Sequence, residues 1–109
     1  MNRHVVLTTT AERDFRQISG WIRKQSARGA SSWINEVELA INRLAHGSTG
    51  EQAAEAESFG TDLRQQLFKT RRGRTFRLLF LIREETVHIL SIRGAGQDNV
   101  DPDDVEMPD

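Results

Sequence analysis

FKTRRGRTFRLLFLIR, residues 68–83, holds the segment that decides the fold. From Thr75 to Arg83 the residues alternate: Phe76, Leu78, Phe80 and Ile82 face one way, and Thr75, Arg77, Leu79, Leu81 and Arg83 the other. A period of two is a β-strand. Arg71-Arg72-Gly73-Arg74 supplies the turn before it, with Gly73 the one residue free to take a positive φ. Leu63–Thr70 alternates more weakly and reads as the preceding strand. Glu84-Glu85 makes the next tip, and Thr86–Arg93 is the last strand. Burying the four inward side chains contributes on the order of 6–12 kcal/mol. Core filling needs no cations, yet arginine and lysine gather around this segment although the chain's formal charge is only −1.

Towards the N-terminus the period changes. His4–Thr8 is short and β-branched, a first strand. Thr9-Thr10-Ala11-Glu12 has the form of a capping box, with Thr9 as N-cap. Ala11, Phe15, Ile18 and Ile22 then recur at spacings of four, three and four, one apolar helical face. Ser26–Gly29 breaks this helix. A second follows with Ala30, Trp33, Val37, Ala40, Ile41 and Leu44 on one side, closed by His46-Gly47. So short a break predicts an antiparallel helical hairpin. Ser48–Thr61 is small and polar and reads as a long loop, with a helical turn through its alanines and glutamates. The order β-α-α-β-β-β predicts an α+β fold, an antiparallel sheet packed against an N-terminal helical hairpin.

At 109 residues the chain is long enough for one core. Residues 1–97 form the expected domain, and 98–109, acidic among neutral residues, an expected flexible tail. Composition is ordinary for a soluble globular protein, with 37% hydrophobic and 28% charged residues. No cysteine is present, which removes disulfide and thiolate chemistry. MNRHVVLTTTAER lacks an apolar h-region, and Leu78–Ile82 is too short to span a bilayer, so no membrane association and a cytoplasmic location are expected. Basic residues outnumber acidic ones between Arg64 and Arg93. That asymmetry predicts a basic working surface beside an acidic tail.

Several residue types invite a functional reading and do not sustain it. His4, His46 and His88 have no metal-ligand spacing, and Asp98, Asp101, Asp103 and Asp104 lack the glycine and closing glutamate of a calcium loop. Gly94-Ala95-Gly96 follows a strand but precedes no helix, so it cradles no phosphate. No metal or cofactor is expected. Trp21 and Trp33 lie beside apolar helix stripes and read as packing residues.

The element order, the helix ending WIRKQS, the helix WINEVELAINRLAHG and the block LRQQLFKTRRGRTFRLLFLIREETVHILSIRGAGQDN resemble the RelE/ParE superfamily of toxins from type II toxin–antitoxin systems, over roughly residues 4–100. The resemblance implies a plasmid-stabilisation type of toxin that inhibits growth and is neutralised by a cognate antitoxin. RelE-like members cleave mRNA on the ribosome without a metal, and ParE-like members poison DNA gyrase.

Metal-free RNA cleavage needs a base for the 2′ proton, cations for the phosphate and an acid for the leaving oxygen. Arg77 matches the arginine that holds the scissile phosphate in RelE-like nucleases, and Arg93 and Lys69 could join it. The acid and base are missing. This chain has no tyrosine, Arg93–Asp98 contains no histidine, and His88 lies within a strand. The departure points to the ParE branch: a protein that acts by binding, with DNA gyrase as the implied target. The alternatives are a RelE-like endoribonuclease and a non-toxic toxin-fold binding protein. For a partner, the expected surface is the basic turn with Arg71, Arg72 and Arg74, together with an open sheet face where Arg77, Leu79, Leu81 and Arg83 would receive an acidic segment.

Overall fold

The computed structural model describes residues 2–70, 73–97 and 99–108. Strand β1 (His4–Leu7) leads into helix α1 (Thr9–Gln25) and helix α2 (Ala27–Ala45). After them come β2 (Glu51–Gln52), the short helix α3 (Ala56–Phe59), β3 (Arg64–Lys69), β4 (Thr75–Arg83) and β5 (Thr86–Gly94), and finally a 3₁₀ turn at Pro102–Asp104. The five strands form one sheet in the order β1-β5-β4-β3-β2.

The α+β architecture matches the expectation, with two differences in the sheet. First, β1 pairs parallel to β5, Val5 opposite Val87 and Leu7 opposite Ile89, so the sheet is mixed and not purely antiparallel. Second, the expected loop contributes an edge strand as well as the helical turn, because Glu51 and Gln52 pair with Gln65 and Arg64. Gly50 makes that approach possible. Its φ is +57°, and a Cβ there would press into the carbonyl oxygen of Gln65. Gly50→Ala should therefore destabilise the protein by about 1–3 kcal/mol, read as a lower denaturant midpoint at unchanged slope.

The caps also differ in detail. Thr8, not Thr9, caps α1; its hydroxyl accepts from Ala11 N at 3.3 Å, and it donates to the Ile89 carbonyl at 3.0 Å, tying the helix start to β5. The helices are separated by Ser26 alone, which closes α1 through Ile22 O and caps α2 by accepting from Gly29 N.

Strand β4 is buried on both sides. Phe76, Leu78 and Phe80 enter the core under the helices with Trp33, Val37 and Leu44, and Ile82 packs against it, as the alternation predicts. The opposite face is the correction. Leu79 and Leu81 are not open: with Leu63 and Leu90 they form a second cluster, covered by Ala53, Ala56, Phe59, Val100, Val105 and Met107. The segment from 99 to 108 thus runs along the sheet in place of the expected free tail. Glu106 N donates to Thr10 Oγ1 at 3.1 Å, and Arg83 donates to the Pro108 carbonyl at 3.3 Å. Val100, Val105 and Met107 lie with the leucine cluster, whereas Asp101, Asp103, Asp104 and Glu106 are exposed. Each leucine so covered contributes about 1.5–3 kcal/mol.

Candidate functional site

The outer face of the sheet collects the cations singled out in the sequence. Register places Arg77 between Arg93 on β5 and Leu67 on β3. Lys69 follows two residues along β3 and therefore shares the face. Proximity is met; availability is not. Arg77 is only 5% exposed. Its Nη1 and Nη2 donate to the two oxygens of Glu55 at 2.7 and 2.6 Å, and Nη1 also to Gln65 Oε1 at 3.1 Å. A bidentate guanidinium–carboxylate pair is the strongest use of an arginine fork. The expectation that Arg77 faces a partner or phosphate from an open surface is therefore corrected: its donors are turned inward.

Glu55 is the residue that sequence reading missed. It lies in the polar stretch read as a loop, yet it is 1% exposed. Besides Arg77 it accepts from Val100 N at 2.9 Å, so one carboxylate joins the α3 region, β4 and the C-terminal segment. Its sequence setting held a clue, because a glutamate flanked by Ala53, Ala54 and Ala56 suits a small apolar cover. Burial pushes the Glu55 carboxyl up, but the hydrogen bonds from Arg77 and Val100 and the guanidinium charge outweigh it, and the group is held below its ordinary value. The sign follows: stabilisation is fully present above the ordinary glutamate value and is lost as pH falls through the lower folded value. Chemical denaturation should therefore show a stability loss in that acid window that is reduced in Glu55→Gln. Equal acid sensitivity of the two proteins would contradict this.

Arg93 is half-buried and lines a cleft of about 380 Å³ together with Arg13, Asp14, Ser91, Asp103 and Asp104. The Asp14 carboxylate accepts from Ser91 Oγ at 2.7 Å and from Ile92 N at 3.1 Å, terminating the β5 edge where β1 has ended. His88 sits on the outer face opposite Leu81. That is four residues from the Arg77–Arg93 pair, roughly 13 Å along the strand, too far to share a reacting phosphate. Glu84, at the β4–β5 tip, adopts φ 56° and is exposed.

The basic turn behaves differently. Arg71 and Arg72 lie outside the described residues. Arg74 is exposed, and its guanidinium carbon stands 5.5 Å from the ring centres of both Trp21 and Phe76. Trp21 is 51% exposed, so its reading as a packing residue is corrected, whereas Trp33 is fully buried as expected. Leu67 and Lys69 are also exposed. Among the described residues, no helix is long and apolar enough to cross a membrane.

No curated protein and no solved structure matches the chain. The family model described as ParE toxin of type II toxin–antitoxin system, parDE, matches residues 5–99. That span takes in the helical hairpin, the sheet apart from His4 at the start of β1, and the Arg77–Glu55 pair. The chain belongs to the ParE toxin family of type II toxin–antitoxin systems.

Proposed function

We propose that this protein arrests growth by binding DNA gyrase, and that a cognate antitoxin encoded beside it neutralises it. The family match over residues 5–99 carries the reading. The geometry supports action by binding: the arginine that a RelE-like nuclease would turn to the scissile phosphate is engaged by Glu55. Type II pairing implies a protein partner, and the cytoplasm, where gyrase works, is the corresponding location.

Induced expression without the partner should stop growth with a DNA-damage response while mRNA persists. The purified protein should inhibit supercoiling by gyrase in vitro. Cleavage of mRNA at ribosomal A sites, with supercoiling untouched, would replace this reading with the ribosome-dependent endoribonuclease. Absence of arrest, with the partner still bound, would leave a non-toxic binding protein.

A further inference from the structure

We propose that the surface formed by Trp21, Lys24 and Arg74 is a docking site for an acidic, amphipathic segment of a partner protein, one apolar side chain covering Trp21 and carboxylates meeting the two cations. The proposal rests on the toxin–antitoxin reading only for the identity of the chain that supplies the segment. It deepens the expectation of a basic partner surface and moves it from the sheet face, which the chain covers itself, to the place where Arg74, just before β4, meets Trp21 of α1.

Two stretches carry the argument. Residues 15–35 contain four basic side chains and no carboxylate, and residues 63–83 contain seven and no carboxylate. Together they hold eleven of the chain's fifteen lysines and arginines. The contact of Arg74 with Trp21 joins these acid-free stretches in space. Lys24 lies three residues beyond Trp21 on the same face of α1, within neighbour distance for a helix. Part of that charge is used elsewhere, since Arg77 is paired with Glu55, Arg64 with Asp62, and Arg83 stands at the far end of β4. The exposed cations at this end are Arg74, Lys69 opposite Thr75, and Arg23 and Lys24 in the last turn of α1.

Trp21 gives that end a shape. Its ring is 51% exposed and offers a large amphipathic surface with a polar edge. Here Arg74 lies against the ring and its donors remain at the surface, so the pair presents a rigid apolar plate beside a bidentate carboxylate receptor. Tryptophan and arginine are the side chains that most often dominate binding energy when a partner desolvates them.

Charge decides the occupant. Nucleic acid binding draws its affinity from many phosphate contacts, whereas this chain carries a formal charge of −1 and places acidic residues over the rest of its length. A long polyanion crossing the molecule would meet those carboxylates. A short acidic segment confined to one end would not, because repulsion beyond about 8 Å is screened at physiological salt.

The test uses the full chain and a short synthetic amphipathic peptide of leucine and glutamate as probe. A peptide with lysine in place of glutamate and a single-stranded oligothymidylate serve as competitors. Because Trp33 is buried and Trp21 exposed, quenching of fluorescence by acrylamide reports mainly on Trp21. The acidic peptide should protect Trp21 from the quencher, and its affinity should fall as salt rises. Measured by titration calorimetry, which does not need the indole signal, Trp21→Ala and Arg74→Ser should each weaken binding at least about tenfold, with the circular dichroism of the wild type, and Trp21→Phe should restore part of it. Absence of protection, unchanged affinity in Trp21→Ala, or tighter binding of oligothymidylate than of the acidic peptide would each overturn the proposal. Growth arrest is scored separately: a wild type that fails to arrest growth but binds the peptide overturns the function proposed above and supports this surface.

Discussion

Arg77→Ala is expected to lower the unfolding free energy by about 3–5 kcal/mol, among the largest effects of any single substitution in this chain. The cause is the partner left behind. Glu55, 1% exposed, would keep its hydrogen bond from Val100 but lose both guanidinium donors, leaving a carboxylate in an apolar cover without its countercharge. Gln65 loses a donor as well. Equilibrium denaturation measures the effect, and a second variant isolates its origin. Arg77→Met combined with Glu55→Gln removes both charges while preserving an acceptor for Val100 N, and it should recover most of the lost stability. If the double variant is as unstable as Arg77→Ala, the unpaired charge is not the cause. A loss of toxicity in Arg77→Ala alone would accordingly report unfolding before it reported any role in binding or catalysis.

Trp33→Ala should cost a similar amount, about 3–5 kcal/mol, through a different mechanism. Trp33 is fully buried at the centre of an aromatic group, with ring centres 5.5 Å from Phe15, 6.3 Å from Phe68 and 5.8 Å from Phe76. Its removal leaves a cavity between α1, α2 and the sheet that these rings cannot close without leaving their own contacts. The indole Nε1 has no acceptor among the described residues, so the position uses the volume of the side chain and not its donor. Trp33→Phe keeps most of that volume and removes the unsatisfied donor, and it should cost well under half as much as alanine. Equal losses for the two variants would mean that the donor, or the exact indole shape, matters more than the space it fills.

The contrast between these two sites separates what was legible in the sequence from what was not. Trp33, Val37 and Leu44 announce the core because helical spacing is a local property, and Phe76, Leu78 and Phe80 do the same through strand alternation. The helical hairpin and the β3–β4–β5 meander follow from such local rules and from short connections. The family resemblance drew on the same residues.

What the sequence by itself could not determine were pairings made across long stretches of chain. The parallel joining of β1 to β5 spans 82 residues from His4 to Thr86, and no local pattern chooses between a parallel and an antiparallel neighbour at that separation. The second face of β4 was the larger misreading. Arg77, Leu79 and Leu81 alternate as an amphipathic surface would, and only the arrival of Glu55 and Val100, 22 residues before and 23 after Arg77, turns that surface into an interior. An arginine in a strand is normally a sign of solvent, because burying its charge alone is prohibitive. A carboxylate brought to it by tertiary structure removes that penalty. Trp21 reversed in the opposite sense: its helical position touches the apolar stripe, but the neighbouring elements leave half of the ring uncovered and set Arg74 beside it. Periodicity therefore determined which faces each element has, and the tertiary structure decided which of those faces met another, because burial is a property of two surfaces and a sequence pattern describes one.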